Sequence, residues 1–208
     1  MSRRDRWIEI FSAILLSLAT LGSAWSAYQA TRWGGVQATR FSEAAATRTE
    51  SVRASNDADT LFNIDVGMFI DFASAVTLEN DELAGFLFDR FRDEFEPAVV
   101  AWIATDPLEN EEAPATPFQM DEYVLADDVR ADELDAEATE LFEEAREANQ
   151  RADNYILTTV LFASVLFFAG VGTKFESLRV KVATLAFGAL VFSGALVLLL
   201  YQPKNVGF

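Results

Sequence analysis

Three long apolar runs frame a stretch patterned for amphipathic helices. Residues 7–30 carry one charge, Glu9, while 155–172 and 182–201 carry none. A helix rises 1.5 Å per residue, so a hydrocarbon core of about 30 Å takes roughly 20 residues to cross. The first and third runs meet that length and the second is slightly shorter. Each is expected to be a transmembrane helix, because a helix satisfies its own backbone polar groups in lipid. The first run has a competing reading as a cleaved signal peptide, since Arg3, Arg4 and Arg6 precede it and Ala24, Ser26 and Ala27 are small. Glu9 interrupts that reading, and the apolar run continues past the cleavage position. A retained anchor is the expectation.

Between the first two runs the pattern is helical throughout. Only Gly67 and Gly85 fall between 36 and 153, and no apolar–polar alternation is long enough for a sheet. Gly34-Gly35 is expected to bend or end the first helix. Ala38, Phe41, Ala45 and Val52 then form a stripe that Arg48 interrupts. Asn56 or Asp57 is placed to cap a further helix bearing Phe62, Val66, Phe69, Ala73 and Val76. Asn80-Asp81 punctuates the chain, Leu83, Leu87, Phe91 and Phe95 mark another apolar face, and Pro97 opens a short helix through Ile103. Residues 106–128 contain Pro107, Pro114 and Pro117 and read as one long loop, mobile unless Phe118, Met120 and Tyr123 pin it.

The sharpest periodicity follows. Leu134, Ala138, Leu141, Ala145, Ala148, Ala152 and Tyr155 alternate spacings of four and three, a heptad seam leading into the second apolar run. A single helix over 129–172 would be roughly 66 Å long. Its alanines permit close approach of another helix, and residues 36–55 are the nearest candidate. The seam is either a packed face within one subunit or a subunit interface.

Charge sharpens this division. Residues 33–153 hold 30 acidic and eight basic residues, a net of −22, whereas the remainder holds three acidic and eight basic. The expected architecture is an all-α integral membrane protein in three parts. These are a basic flank and first span (1–32), an acidic helical extramembrane domain (33–153), and two further spans (154–208) joined by a short loop at 173–181. Lys174, Arg179 and Lys181 share a side with Arg3, Arg4 and Arg6 when there are three spans, and the positive-inside rule makes that side cytoplasmic. The 33–153 domain is then outside, although Arg32, Arg40, Arg48, Arg146 and Arg151 flank the outer ends.

The candidate chemistry is sparse. The chain has no His and no Cys, which removes triads, Cys–His pairs, disulfides and the usual zinc ligands. Gly34-Gly35 lacks the Lys and the preceding strand of a phosphate-binding loop. Carboxylate pairs such as Asp57/Asp59, Glu111/Glu112, Asp121/Glu122 and Asp127/Asp128 lie in polar runs without calcium-loop spacing, so a solvated surface is the expectation. We expect no catalytic residue, cofactor or specific metal site, with at most weak cation association through the acidic field. That field also argues against nucleic acid as a partner. In the first span Gly22, Ser26 and Ala30 form one small-residue ridge and Ala19, Ser23 and Ala27 a second. Gly22, Ser23, Ser26 and Gln29 are therefore candidates for helix packing or for lining a pore. No charge lies inside the second and third spans, which argues against a proton-coupled pump.

Residues Trp25-Ser26-Ala27-Tyr28-Gln29 with Arg32-Trp33-Gly34-Gly35, Arg146-Glu147-Ala148-Asn149-Gln150-Arg151 leading into Leu157-Thr158-Thr159, and the segment from Leu108-Glu109-Asn110 to Pro117-Phe118 resemble stretches of uncharacterised small prokaryotic integral membrane proteins. The resemblance implies the three-span layout and carries no activity, ligand or site residue. Two functions remain on the residues alone. One is a non-enzymatic, self-associating membrane protein that presents an acidic helical domain for interaction or scaffolding. The other is a homo-oligomeric passive cation channel lined by the first span. Membrane lipid and further copies of the chain are the expected partners of both.

Overall fold

A computed structural model describes residues 3–205, with side chains from Arg6 onward. The side chains of Arg3 and Arg4, and residues 206–208 of the predicted third part, lie outside that range. All regular structure among the described residues is helical. Helix α1 (Arg3–Thr77) has 75 residues, α2 (Asp81–Phe88) and α3 (Glu96–Ile103) have eight each, α4 (Ala126–Gly172) has 47 and α5 (Leu178–Tyr201) has 24. A 3-10 turn, Pro117–Gln119, interrupts the connection between α3 and α4. Three of the helices, α1, α4 and α5, are long and apolar enough to cross a membrane.

Several boundaries differ from expectation, for identifiable reasons. Helix α1 runs through Gly34-Gly35 and through Asn56-Asp57 without a break. A glycine in a helix costs only about 1 kcal/mol relative to alanine. Nothing approaches the positions a Cβ would take at Gly34 or Gly35, so no turn or close contact demands them. Asn56 and Asp57 are exposed between the buried Ala54 and Ala58, whose packing outweighs the local capping signal. Helix α1 instead ends after Thr77, where Glu79 adopts a left-handed conformation (φ 54°), and the amides of Glu79 and Asn80 bond back to Val76 and Ala75. The Asn80 side chain then caps α2 by accepting from the Leu83 amide. At the far end of the chain, Arg179 and Lys181 fall inside α5, so the connection from α4 shortens from 173–181 to 173–177.

The chain divides into two compact units, residues 1–42 with 141–208, and residues 43–140. In the first, Leu15 and Ala19 of α1, Phe162, Val165 and Ala169 of α4, and Leu185 and Ala195 of α5 make one buried cluster. Gly22 is required there: a Cβ would lie 2.6 Å from the Phe162 ring. Ser12 joins α1 to α4 by donating to the Ala169 carbonyl at 3.0 Å. The hydroxyls of Ser17, Thr20, Thr31, Thr159, Ser164, Thr184 and Ser193 all donate to the carbonyl four residues earlier, so these partly or fully exposed polar groups need no water.

In the 43–140 unit the core is aromatic. Phe69, Phe72, Phe91, Phe95 and Val99 are buried, with Phe88, Trp102, Phe118 and Tyr123 packed against them. Phe118 stacks on Phe95 with centroids 5.1 Å apart, and Trp102 donates to the Pro114 carbonyl at 2.7 Å. These contacts hold the proline-rich connection onto α1 and α3. The stripes predicted on α1 are rotated by about one residue. Ala38, Ala45, Val52, Phe62 and Val76 are exposed, while Ala44, Ser51, Ala54, Ala58, Phe72 and Ala75 are buried; of the predicted stripe residues Phe69 is buried and Phe41, Val66 and Ala73 are half-buried. Arg48 does not interrupt the buried face. It sits half-buried on that face, ion-paired with Asp135 and donating to Thr139.

Candidate functional site

Two polar constellations are built into the helices, one in each unit. In the first unit, Gln29 of α1 and Tyr155 and Thr158 of α4 are almost entirely buried where the chain leaves α5. The Gln29 carboxamide donates to the Asn205 carbonyl (3.2 Å) and accepts from the Asn205 amide (2.9 Å), pairing with that main chain as a strand neighbour would. The Pro203 carbonyl accepts from the Trp33 indole (3.2 Å) and the Tyr155 hydroxyl (3.1 Å). Gln202 reaches the Asn154 carbonyl and the Thr158 hydroxyl. The Arg151 guanidinium lies 4.7 Å over the Trp33 ring. Residues 202–205 thus form a strap bonded to both α1 and α4. The described hydrogen bonds to the strap all come from or go to neutral groups.

In the 43–140 unit, Asp65 projects from α1 into the aromatic core and is 1 % exposed. Burial of a carboxylate in apolar surroundings requires compensation. Arg92 provides it as a planar fork, with Nε to one oxygen at 3.0 Å and a terminal nitrogen to the other at 2.9 Å. The Tyr123 hydroxyl donates to the second oxygen at 3.0 Å, and Glu94 pairs with the outer edge of Arg92. The hydrogen bond to Asp65 holds the Arg92 guanidinium further above its ordinary value, against the opposing effect of burial. Burial, then the bond to Asp65, pushes the Tyr123 phenol well above the usual tyrosine range. Both carboxylate oxygens are occupied, so Asp65 acts as a structural acceptor and is not a free base or a cation ligand.

The sequence-derived candidates fall as follows. Ser26 is buried and bonded to the Gly22 carbonyl, Gln29 is held by Asn205, Gly22 faces Phe162, and Ser23 is half-buried. None of Gly22, Ser26 and Gln29 is presented outward. Of the heptad residues, Ala138, Ala145, Ala148, Ala152 and Tyr155 are buried within the chain, and Leu134 and Leu141 are half-buried. Beyond Tyr155 the buried face continues through Thr158, Phe162, Val165 and Ala169. The carboxylate pairs are exposed apart from the half-buried Asp127, and no group of three or more acidic residues converges on a metal-sized space among the described residues.

Sequence reasoning did not single out Asp65 or Arg92, and it named Tyr123 only as a residue that could pin the 106–128 loop. The available signal was a carboxylate four residues before Phe69 and seven before Phe72, on the face that those two rings define. The strap at 202–205 was not anticipated either, and Gln29 near the C-terminal end of the first apolar run was its trace in the sequence. Comparison of the chain with protein families, with characterised proteins and with solved structures finds no match.

Proposed function

We propose that this is a non-enzymatic, self-associating integral membrane protein that presents the acidic helical residues 43–140 on the extracytoplasmic side for interaction with other molecules. The observation that carries the reading is the segregation of surface. Only 17 %, 33 % and 17 % of the most apolar stretches of α1, α4 and α5 is buried inside the chain. Trp7, Ile14, Leu21, Phe167, Leu190 and Leu200 are among the exposed side chains, a surface suited to hydrocarbon rather than water. Trp7 lies about 27–39 Å along α1 from the Trp25–Trp33 group, which matches the spacing of two interfacial aromatic belts. By contrast, residues 43–140 hold 26 acidic and five basic residues. Basic Lys174, Arg179 and Lys181 lie at or beside the 173–177 connection, and they favour the cytoplasm for that side.

Self-association rests on an exposed stripe of α1 that shares only Ala27 with the two small-residue ridges read from the sequence. Ala13, Ser17, Thr20, Ala24, Ala27 and Thr31 repeat at four and three residues along α1, and all six are exposed. A small-residue stripe of that length lets a second helix approach closely in lipid. The channel alternative has less support, because Ser26 and Gln29 face the chain's own helices. Subunit counting of the purified protein in nanodiscs tests the reading. We expect a defined oligomer that Ala24→Trp disrupts, while Ala163→Trp, on an exposed face of α4, leaves it intact. A monodisperse monomer would defeat the self-association claim.

A further inference from the structure

An apolar groove of about 540 Å³ opens on the 43–140 unit between the last turns of α1 and the chain leaving α3, walled by Phe72, Val76, Trp102, Ile103, Pro107 and Leu108. Its outer wall is held in place. Asp106 takes a left-handed conformation (φ 54°), Pro107 fixes the next residue, and the Asn110 amide bonds back to the Asp106 carbonyl at 2.9 Å. Leu108 is nonetheless 86 % exposed on that wall, and Leu78, in the turn that follows α1 next to the wall residue Thr77, is 79 % exposed. A preformed apolar groove edged by large exposed aliphatic side chains is the geometry that accepts an amphipathic helix. The unit has no strand edge to offer among the described residues, so recognition by strand addition has no template.

Charge selects the occupant. Residues 56–128 carry 19 acidic side chains and only two basic ones, Arg90 and Arg92. Arg92 is tied to Asp65 and Glu94, and Arg90 lies 3.5 Å over the Phe86 ring while bonding the Phe86 carbonyl. Asp106 is the one charged residue lining the groove, and all of its walls come from this strongly acidic segment. Two copies meeting through it would oppose their net charges of −17, and anionic lipid or a fatty-acid carboxylate would be repelled.

We infer that this groove docks a cationic amphipathic helix of another protein, with roughly two or three large apolar side chains at helical spacing in the groove and Lys/Arg flanks over the acidic rim. The inference rests on the presentation role proposed above and names the partner class for it.

The test uses the full chain in zwitterionic nanodiscs and a fluorescent 18-residue Leu/Lys amphipathic peptide, with a scrambled peptide of the same composition and a Leu/Glu analogue. Fluorescence anisotropy should show saturable binding of the first peptide, with the scramble at least tenfold weaker and the Leu/Glu analogue not bound. Val76→Glu and Leu108→Glu, both at exposed positions, should each weaken binding at least tenfold. Equal binding of the scramble would reduce the effect to bulk acidity and overturn the inference. So would unchanged affinity in both groove variants, or no binding at all. Each of these failures leaves surface labelling of a Glu111→Cys chain in intact cells unaffected, whereas failure of the presentation role abolishes that labelling.

Discussion

Asp65 is a buried carboxylate whose two oxygens take three hydrogen bonds, and the 43–140 unit depends on that satisfaction. Removing Arg92 leaves the charge in an aromatic core without its fork. Arg92→Leu is accordingly expected to destabilise the unit by on the order of 3 kcal/mol, seen as lost hydrogen-exchange protection around Phe69 and Phe95. Unchanged protection would remove the pair from the account. Tyr123 gives the same site a pH signature. Its phenol is held above its ordinary value in the folded state, first by burial and then by Asp65. The unfolded chain therefore loses that proton first, at about pH 10. Stability from this group is complete below that pH and declines as pH rises through it toward the folded value. Tyr123→Phe should flatten the alkaline decline measured by thermal unfolding between pH 9 and 11, while costing about 1 kcal/mol at neutral pH. A decline of the same steepness in the variant would contradict the assignment. Tyr123 was legible only as a residue that pins the loop, and Asp65 and Arg92 did not stand out, because a single carboxylate among apolar neighbours has the same pattern whether it turns inward or outward.

Among the elements, α4 was the most legible. From Leu134 to Tyr155 it has no Gly or Pro; Ala138, Ala145, Ala148, Ala152 and Tyr155 are buried, Leu134 and Leu141 are half-buried, and the helix starts at Ala126 rather than Val129. Helix α1 was harder. Its buried face between 44 and 58 consists of alanine and serine with Arg48 among them, and such residues are chosen for close approach rather than hydrophobicity. A stripe drawn through the largest apolar side chains therefore landed one residue off. The same logic hid the continuity of α1, since the glycines and Asn56-Asp57 weaken a helix locally while packing on both sides of them sustains it. The α4 face gives a direct check. Ala145 is fully buried and Glu143 is exposed and paired with the exposed Arg146. Ala145→Asp should cost roughly 3 kcal/mol or more by placing an unpaired carboxylate at a helix contact, and Glu143→Ala should stay within about 0.5 kcal/mol. Similar melting temperatures for the two variants would mean that the face is not packed.

Over the whole molecule, polarity is sorted by position along the chain. Residues 43–140 hold 26 acidic and five basic side chains, and the remaining residues hold seven acidic and 11 basic. That sorting and the three apolar runs could be read directly from the sequence. The internal use of Gln29 and Ser26 could not, because it depends on residues 176 positions away for one and on the local helix for the other. Together, the length and apolar exposure of α1, α4 and α5 suggest a three-span membrane protein, and the side proposed for 43–140 rests on the basic residues Lys174, Arg179 and Lys181 alone. The chain contains no cysteine, so single cysteines report without background. Ser55, Glu111 and Ser177 are all exposed and make suitable positions. In intact cells an impermeant thiol reagent should label Ser55→Cys and Glu111→Cys, and should reach Ser177→Cys only after permeabilisation. Labelling of Ser177→Cys alone would reverse the orientation, and equal labelling of all three in intact cells would contradict the three-span account.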